Sequence, residues 1–304
     1  MGFTANIVNA IVWPNSPKNK TYPNYLSSDY GPRGVYTYFH KGLDFPEDKN
    51  VKAIEAGTVT TKPKDLPLVV IKGSHTIRYY HMATVTVAQW TYVQEGQKIG
   101  EYETDHVDIK LSTFTNPLRD LFSSLYTSAA PTIKHIKLKD AGKELKKTGS
   151  TYTLTTRPGT ITIETYITTP KKDLDKVEFS ITPTVSCFPV KFDYHNHDQW
   201  NDYDGLDLKA KQNNNKSMQC SSTCTKTSDA EDYFYFYWNI STVPDGTQTY
   251  ILTITATTVQ TKTATSSIQI IFPPKKVTVP LEEYWGQTSN VEFIILFTLS
   301  LNSF

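Results

Sequence analysis

The sequence predicts an all-β protein, two strand-rich units in tandem, and three observations carry that expectation. Long stretches are rich in Thr, Val and Ile, with 19 Tyr and 14 Phe in 304 residues, the residue types that fit a pleated, half-buried surface. Apolar positions recur with a period of two, as in TQTYILTITATTV at 247–259, which is the periodicity of a strand. No long amphipathic helical pattern interrupts them. A chain of this length accommodates one large domain or two ordinary ones.

Taken in order, residues 5–14 are a short apolar segment ending at Pro14. PNSPKNKTYPNYLSSDYGPRG (14–34) is loop, dense in Pro, Asn, Ser and Gly. Strand candidates follow at 51–61, 66–73, 75–84, 92–103 and 106–113, each bounded by Gly, Pro or a charged turn. Strands this closely spaced build a sandwich or barrel, not βαβ units. NPLRDLFSSLY (116–126) reads as a brief helical turn closing the unit, and the lysine-rich 134–150 as a connector. Seven further strands, at 151–156, 159–169, 176–183, 189–195, 232–240, 247–259 and 266–273, suggest an immunoglobulin-like sandwich. Within them, 241–272 resembles the last two strands of bacterial immunoglobulin-like modules on secreted proteins. The expected division is therefore 1–128, 129–275 and an unassigned tail, 276–304. VEFIILFTLSL in that tail is too short to span a bilayer as a helix and reads as a terminal strand.

Composition narrows the function classes. Basic and acidic residues balance at 31 and 30, so no electrostatic footprint for nucleic acid exists. Cys187, Cys220 and Cys224 lack the C-x₂-C pairs of a zinc knuckle. One disulfide with a free thiol and three thiols both fit, which leaves the redox compartment open. The first twenty residues lack a basic start, apolar run and cleavage site, and do not read as a signal peptide. Oligomeric state is not legible.

The chemistry concentrates in DHVDIKL (105–111). In a strand His106 and Asp108 point to one side, and burying two ionisable groups together is costly without a partner. Upstream, His40 and Asp44 flank Gly42 in H-K-G-L-D, and His81 ends the strand TIRYYH. Zinc takes imidazole and carboxylate ligands, three from the protein in a catalytic site. Elsewhere, His75 reads as a hairpin-turn residue exposed to water and His135 as solvated. DYHNHDQWNDYDG (193–205), with His195 and His197, reads as turn chemistry lacking the twelve-residue calcium loop. DYFYFYWNI (232–240) reads as core, not a sugar-stacking platform.

Six pieces in order resemble the lysostaphin/LytM-type zinc endopeptidases, which cut the peptide part of bacterial cell walls. They are Gly31-Pro32-Arg33, His40-Lys41-Gly42-Leu43-Asp44, Tyr79-Tyr80-His81, Gly96 to Gly100, His106-Val107-Asp108 and Asn116-Pro117. The resemblance covers residues 20–120 and implies a LytM-like antiparallel sheet. It also implies a Zn²⁺ cofactor on His40, Asp44 and Asp108, with His81 and His106 as catalytic histidines. One would take a proton from water and the other donate to the developing oxyanion. It further implies a peptidoglycan or peptide substrate and an extracellular, periplasmic or cell-surface location. Asp108 departs from the pattern, since the family has histidine there. Two carboxylates and one imidazole cancel the charge of a divalent ion, making it a weaker Lewis acid. Two outcomes follow: a zinc endopeptidase with weakened activity, or a degenerate, non-catalytic domain that binds cell wall or a partner protein.

Overall fold

A computed structural model of the chain describes residues 11–15, 26–27, 30–32, 39–46, 48–61, 68–103, 105–113, 115–185, 188–193, 220–228, 231–240, 243–246, 248–275, 277–279 and 291–293. Arg33, Cys187, the segment with His195 and His197, the first ten residues and most of the tail lie outside them. The described residues are strand almost throughout, and no helix among them is long and apolar enough to cross a membrane.

The first unit contains β1 (Gly31–Pro32), β2 (Phe39–His40), β3 (Leu43–Pro46), β4 (Asn50–Lys52), β5 (Gly57–Thr61) and β6 (Leu68–Lys72). It continues with β7 (Thr76–Tyr80), β8 (Met82–Val85), β9 (Tyr92–Val93), β10 (Lys98–Tyr102) and β11 (His106–Leu111). A six-stranded antiparallel sheet runs β3-β11-β7-β6-β5-β9, beside a three-stranded sheet β4-β10-β8 and the small ladder β1-β2. Alternation decides which side is core. Ile77 and Tyr79 of β7 and Val107, Ile109 and Leu111 of β11 point inward and are fully buried. Period two then puts His106, Asp108 and Lys110 together on the opposite face of β11. Behind that strand, α1 (Pro117–Asp120) starts with Pro117, and Asn116 Oδ1 accepts from Leu118 N at 3.0 Å, an ordinary N-cap with Pro at N1. Phe122, just after it, is buried and stacks on Trp13 at 4.5 Å.

The second unit is a sandwich of two sheets. One is ordered β13 (Lys143–Glu144), β12 (Thr132–Asp140), β16 (Thr160–Thr168), β20 (Glu231–Asn239), β19 (Cys220–Ser228). The other runs β14 (Lys147–Thr148), β15 (Thr151–Thr153), β22 (Thr263–Phe272), β21 (Gln248–Thr258), β17 (Leu174–Thr182), β18 (Val190–Asp193). Aromatic rings join the layers. Trp238 of β20 meets Phe272 at 5.5 Å and Tyr250 at 5.9 Å, both from the facing sheet, with rings edge-on, the geometry aromatic pairs prefer. Phe234 and Trp238 are fully buried, so this strand is core, as its sequence suggests. A short ladder, β23 (Val277–Val279) with β24 (Val291–Phe293), follows.

Two sequence expectations change. The lysine-rich stretch is not simply a connector, because its first part is the nine-residue strand β12. Lys137 and Lys139 face outward, to Glu144 at 3.2 Å and Glu164 at 2.7 Å. Ile136 and Leu138 between them are buried. The lysine count hides that alternation. His75 also differs: it sits in a turn, yet Nδ1 lies 3.0 Å from the fully buried Glu55 carboxylate, which also accepts from His75 N at 2.6 Å. The units meet through Gln260, whose amide donates to the carbonyls of Ser123 and Tyr126 and accepts from Ser128 N.

Candidate functional site

Register builds the site. β11 pairs with β3 so that Asp108 stands directly opposite Asp44, and with β7 so that Asp108 stands opposite Tyr80. Side chains directly opposite on neighbouring strands point the same way, and like charges there destabilise a sheet. Two carboxylates, 3% and 4% exposed, are thus pressed together on one face, an arrangement that needs a cation. His40, at the end of β2, supplies one. Its Nε2 lies 3.2 Å from Asp44 Oδ1 and 3.4 Å from Asp108 Oδ1. Gly42 permits the approach, since a Cβ there would collide with Asp108 Oδ1 and come within 2.9 Å of Ile109 O.

Electrostatics bind the trio together. Burial works against the His40 imidazolium, but the Asp44 and Asp108 carboxylates outweigh it and hold its pKa above the usual 6.5. Burial likewise pushes the Asp108 carboxyl up. His40 and then Lys110 overcome that and bring it down to about 2.

His40, Asp44 and Asp108 each offer one ligand atom, all within 4.8 Å of one another. Donors about 2 Å from an ion at tetrahedral angles lie roughly 3.3 Å apart, close to the 3.2 and 3.4 Å found between His40 and the two carboxylates. Asp108 Oδ1 is buried without a hydrogen bond, as an anionic oxygen reserved for a cation would be. Donor type, spacing and burial all fit a small divalent ion.

Both remaining histidines stand beside this trio. Their rings meet edge-to-face with centroids 4.8 Å apart. His81 occupies the bend between β7 and β8 with φ of 64°, held by Glu103 N donating to its carbonyl at 2.7 Å. A non-glycine residue in that region costs on the order of 1–3 kcal/mol. His106 Nε2 lies 3.5 Å from Asp44 Oδ1, while its Nδ1 lies 2.7 Å from Asp105. A proton on Nδ1, donated to Asp105, leaves Nε2 facing the trio as an acceptor.

The structure therefore brings His40, Asp44, Asp108, His81 and His106 to one place. The sequence reading had not weighed Asp105 and Lys110. Lys110 Nζ lies 3.1 Å from Asp108 Oδ2 and 4.8 Å from the Tyr80 ring centroid. Its signal was the period-two run His106, Asp108, Lys110; that of Asp105 was adjacency to His106.

Comparison with known proteins gives structural neighbours alone. No family model and no curated protein matches the chain. Among solved structures it is similar to lysostaphin, at 20% identity over 57% of this chain and 69% of that one, with a TM-score of 0.32. It is similar to pseudoalterin, an M23 metalloprotease from the deep sea, at 19% identity over 34% of this chain and 70% of that one, with a TM-score of 0.26. A Pseudomonas aeruginosa protein described as an M23 peptidase shares 19% identity over 32% of this chain, at a TM-score of 0.23, and the match spans about half of that protein, 47%. Overlap this partial says nothing about chemistry, and the functional reading rests on the side chains.

Proposed function

We propose that the first unit is a metal-dependent endopeptidase acting on peptide stems or cross-links of bacterial cell-wall peptidoglycan, with zinc held by His40, Asp44 and Asp108. The observation that carries the reading is the convergence of three buried donor atoms from β2, β3 and β11, all within 4.8 Å of one another, beside two imidazoles. Zinc, when bound, polarises a carbonyl and acidifies water. The chain's own groups do the rest. His106, oriented through Nδ1 by Asp105, accepts a proton at Nε2. His81, fixed by its strained backbone, donates a hydrogen bond to the oxyanion that develops on the scissile carbonyl. The cell-wall substrate and a location outside the cytoplasm follow from the motif resemblance. The second unit is read as an immunoglobulin-like module that positions the first. Its support is the strand order: β12-β16-β20-β19 faces β22-β21-β17-β18, with β15 parallel to the β22 edge.

Metal analysis of the purified protein, paired with digestion of cell-wall peptides and oligoglycine, tests this. Uptake of one divalent ion and cleavage abolished in a His81→Ala, His106→Ala double variant are expected. No uptake, or cleavage equal in the double variant, refutes it. A second reading is favoured by Asp108, whose carboxylate in place of an imidazole by itself leaves a bound ion less acidic than two histidines and one aspartate would. There the groove binds cell wall or a partner protein without cutting it, and wall binding without turnover is its signature.

A further inference from the structure

Two residues beyond Asp108 on the same face of β11, Lys110 stands close enough to change the charge of the site. Its ammonium lies 3.1 Å from Asp108 Oδ2, while Asp108 Oδ1 faces His40 Nε2 at 3.4 Å. The carboxylate is thus divided, one oxygen to the lysine and the other to the trio. Three restraints keep the lysine there. The Tyr80 ring lies beneath the ammonium, with 4.8 Å to its centroid, a cation–π arrangement. The charged hydrogen bond to Oδ2 is the second. The third is the Lys110 stem, which runs so close past Gly42 that a Cβ there would come to 3.0 Å from its Cγ. The lysine side chain is only 25% exposed, and its carboxylate partner 6%. Water screens such a pair far less than a surface one.

We propose that Lys110 is the positioning residue that lets an aspartate act as the third metal ligand, by neutralising Asp108 and denying the ion its second oxygen. This rests on the reading that His40, Asp44 and Asp108 hold a divalent ion. Charge accounting gives the first consequence. Two carboxylates cancel a divalent ion, and adding Lys110 restores a net charge of about +1, the value left by two imidazoles and one carboxylate. Geometry gives the second. With Oδ2 taken by the ammonium, Asp108 presents a single oxygen. Calcium favours many oxygens and bidentate carboxylates, whereas zinc is satisfied with few, mixed ligands. Lys110 therefore sets both the Lewis acidity of the site and its preference for zinc over harder ions.

Titration calorimetry of the full chain with Zn²⁺, Mn²⁺ and Ca²⁺ tests it, using wild type, Lys110→Met, Lys110→Arg, Asp108→His and the Asp108→His, Lys110→Met pair. Lys110→Met frees a charged oxygen and removes a cation from beside the ion, so Mn²⁺ and Ca²⁺ should bind at least about fivefold more tightly, the effect of one unit charge at about 4 Å even in water, narrowing the preference for Zn²⁺. Lys110→Arg should keep the wild-type preference. In the Asp108→His background Lys110→Met should change the preference little, because no carboxylate remains to release. Lys110→Gln replaces the methionine variant should that one melt early. Unchanged or weaker Mn²⁺ and Ca²⁺ binding in Lys110→Met and Lys110→Gln overturns the proposal. So does an equal gain in both backgrounds, which marks general surface charge. Absence of ion binding in wild type and Asp108→His alike is a separate result, refuting the metal site itself.

Discussion

In the metal-free protein the site is held together by charge, and Asp108→Asn measures how strongly. Asp108 titrates at about 2 where a free aspartate titrates near 3.8. At 1.36 kcal/mol per tenfold change in proton affinity, that difference is worth about 2 kcal/mol of stability when the carboxylate is ionised. The sign is fixed by the depression: the contribution is present above the unfolded value and is lost as pH falls through about 2. His40, Asp108's main partner, has the opposite shift. Its pKa is raised above 6.5, so its contribution is complete below that value and fades as pH climbs through the folded one. Wild type should therefore exceed Asp108→Asn by about 2 kcal/mol in a mildly acid window, with the gap closing on both sides. Urea unfolding of both proteins in chelator, across about pH 3 to about 9, reads that difference directly. Adding zinc at the alkaline end should reopen it, since the ion replaces the lost proton between the carboxylates. A gap that does not move with pH, or a more stable asparagine variant, refutes this account. The latter would mean that repulsion between Asp44 and Asp108 outweighs the attraction of His40 and Lys110.

Three further outcomes are expected. Gly42→Ala drives a methyl into Asp108 Oδ1 and against Ile109 O; unfolding measurements should show a loss of about 1–3 kcal/mol, and dialysis should show weakened metal uptake. Asp105→Asn removes the carboxylate held 2.7 Å from His106 Nδ1; kcat on a peptide substrate should fall and its pH profile shift, with metal content unchanged. Asp173 is buried and accepts from Ser128 Oγ, and burial holds its carboxyl above the ordinary range. A raised carboxyl favours the native state at low pH and loses that contribution as pH rises through the folded value, so Asp173→Asn should gain on wild type in thermal melts as pH rises from the ordinary carboxylate range through the raised one.

The strand class and most strands of the first unit were legible because alternation and turn residues agree there. Gly57, Gly73 and Gly96 punctuate runs whose apolar positions repeat every second residue. The convergence at the candidate site was legible because three histidines and two aspartates, His40, Asp44, His81, His106 and Asp108, fall in a motif order. Strand β12 was not, because Lys134, Lys137 and Lys139 read as a charge run unless Ile136 and Leu138 among them are weighed by face. Strand β19 was missed for a related reason: CSSTCTKTS has almost no apolar residue to alternate, and its place is fixed by backbone pairing to β20. The contacts of Lys110 were hidden too, since they depend on the β11–β7 register that sets it over Tyr80.

That register also bears on how an aspartate can stand where the resemblance calls for histidine. A bare swap on this strand would put a second carboxylate opposite Asp44, buried and unscreened, at a cost of several kcal/mol. The observed pairing offsets that cost twice. The residue two positions on, necessarily on the same face, is a lysine. The residue across the neighbouring ladder is a tyrosine whose ring carries the lysine's charge. Asp108, Lys110 and Tyr80 are thus one contact unit, and on the proposed metal-site reading they would stand in together for an imidazole. A single reversion, Asp108→His with Lys110 retained, would leave an uncompensated cation beside the metal ligands, so the histidine alone should recover less zinc affinity than the Asp108→His, Lys110→Met pair.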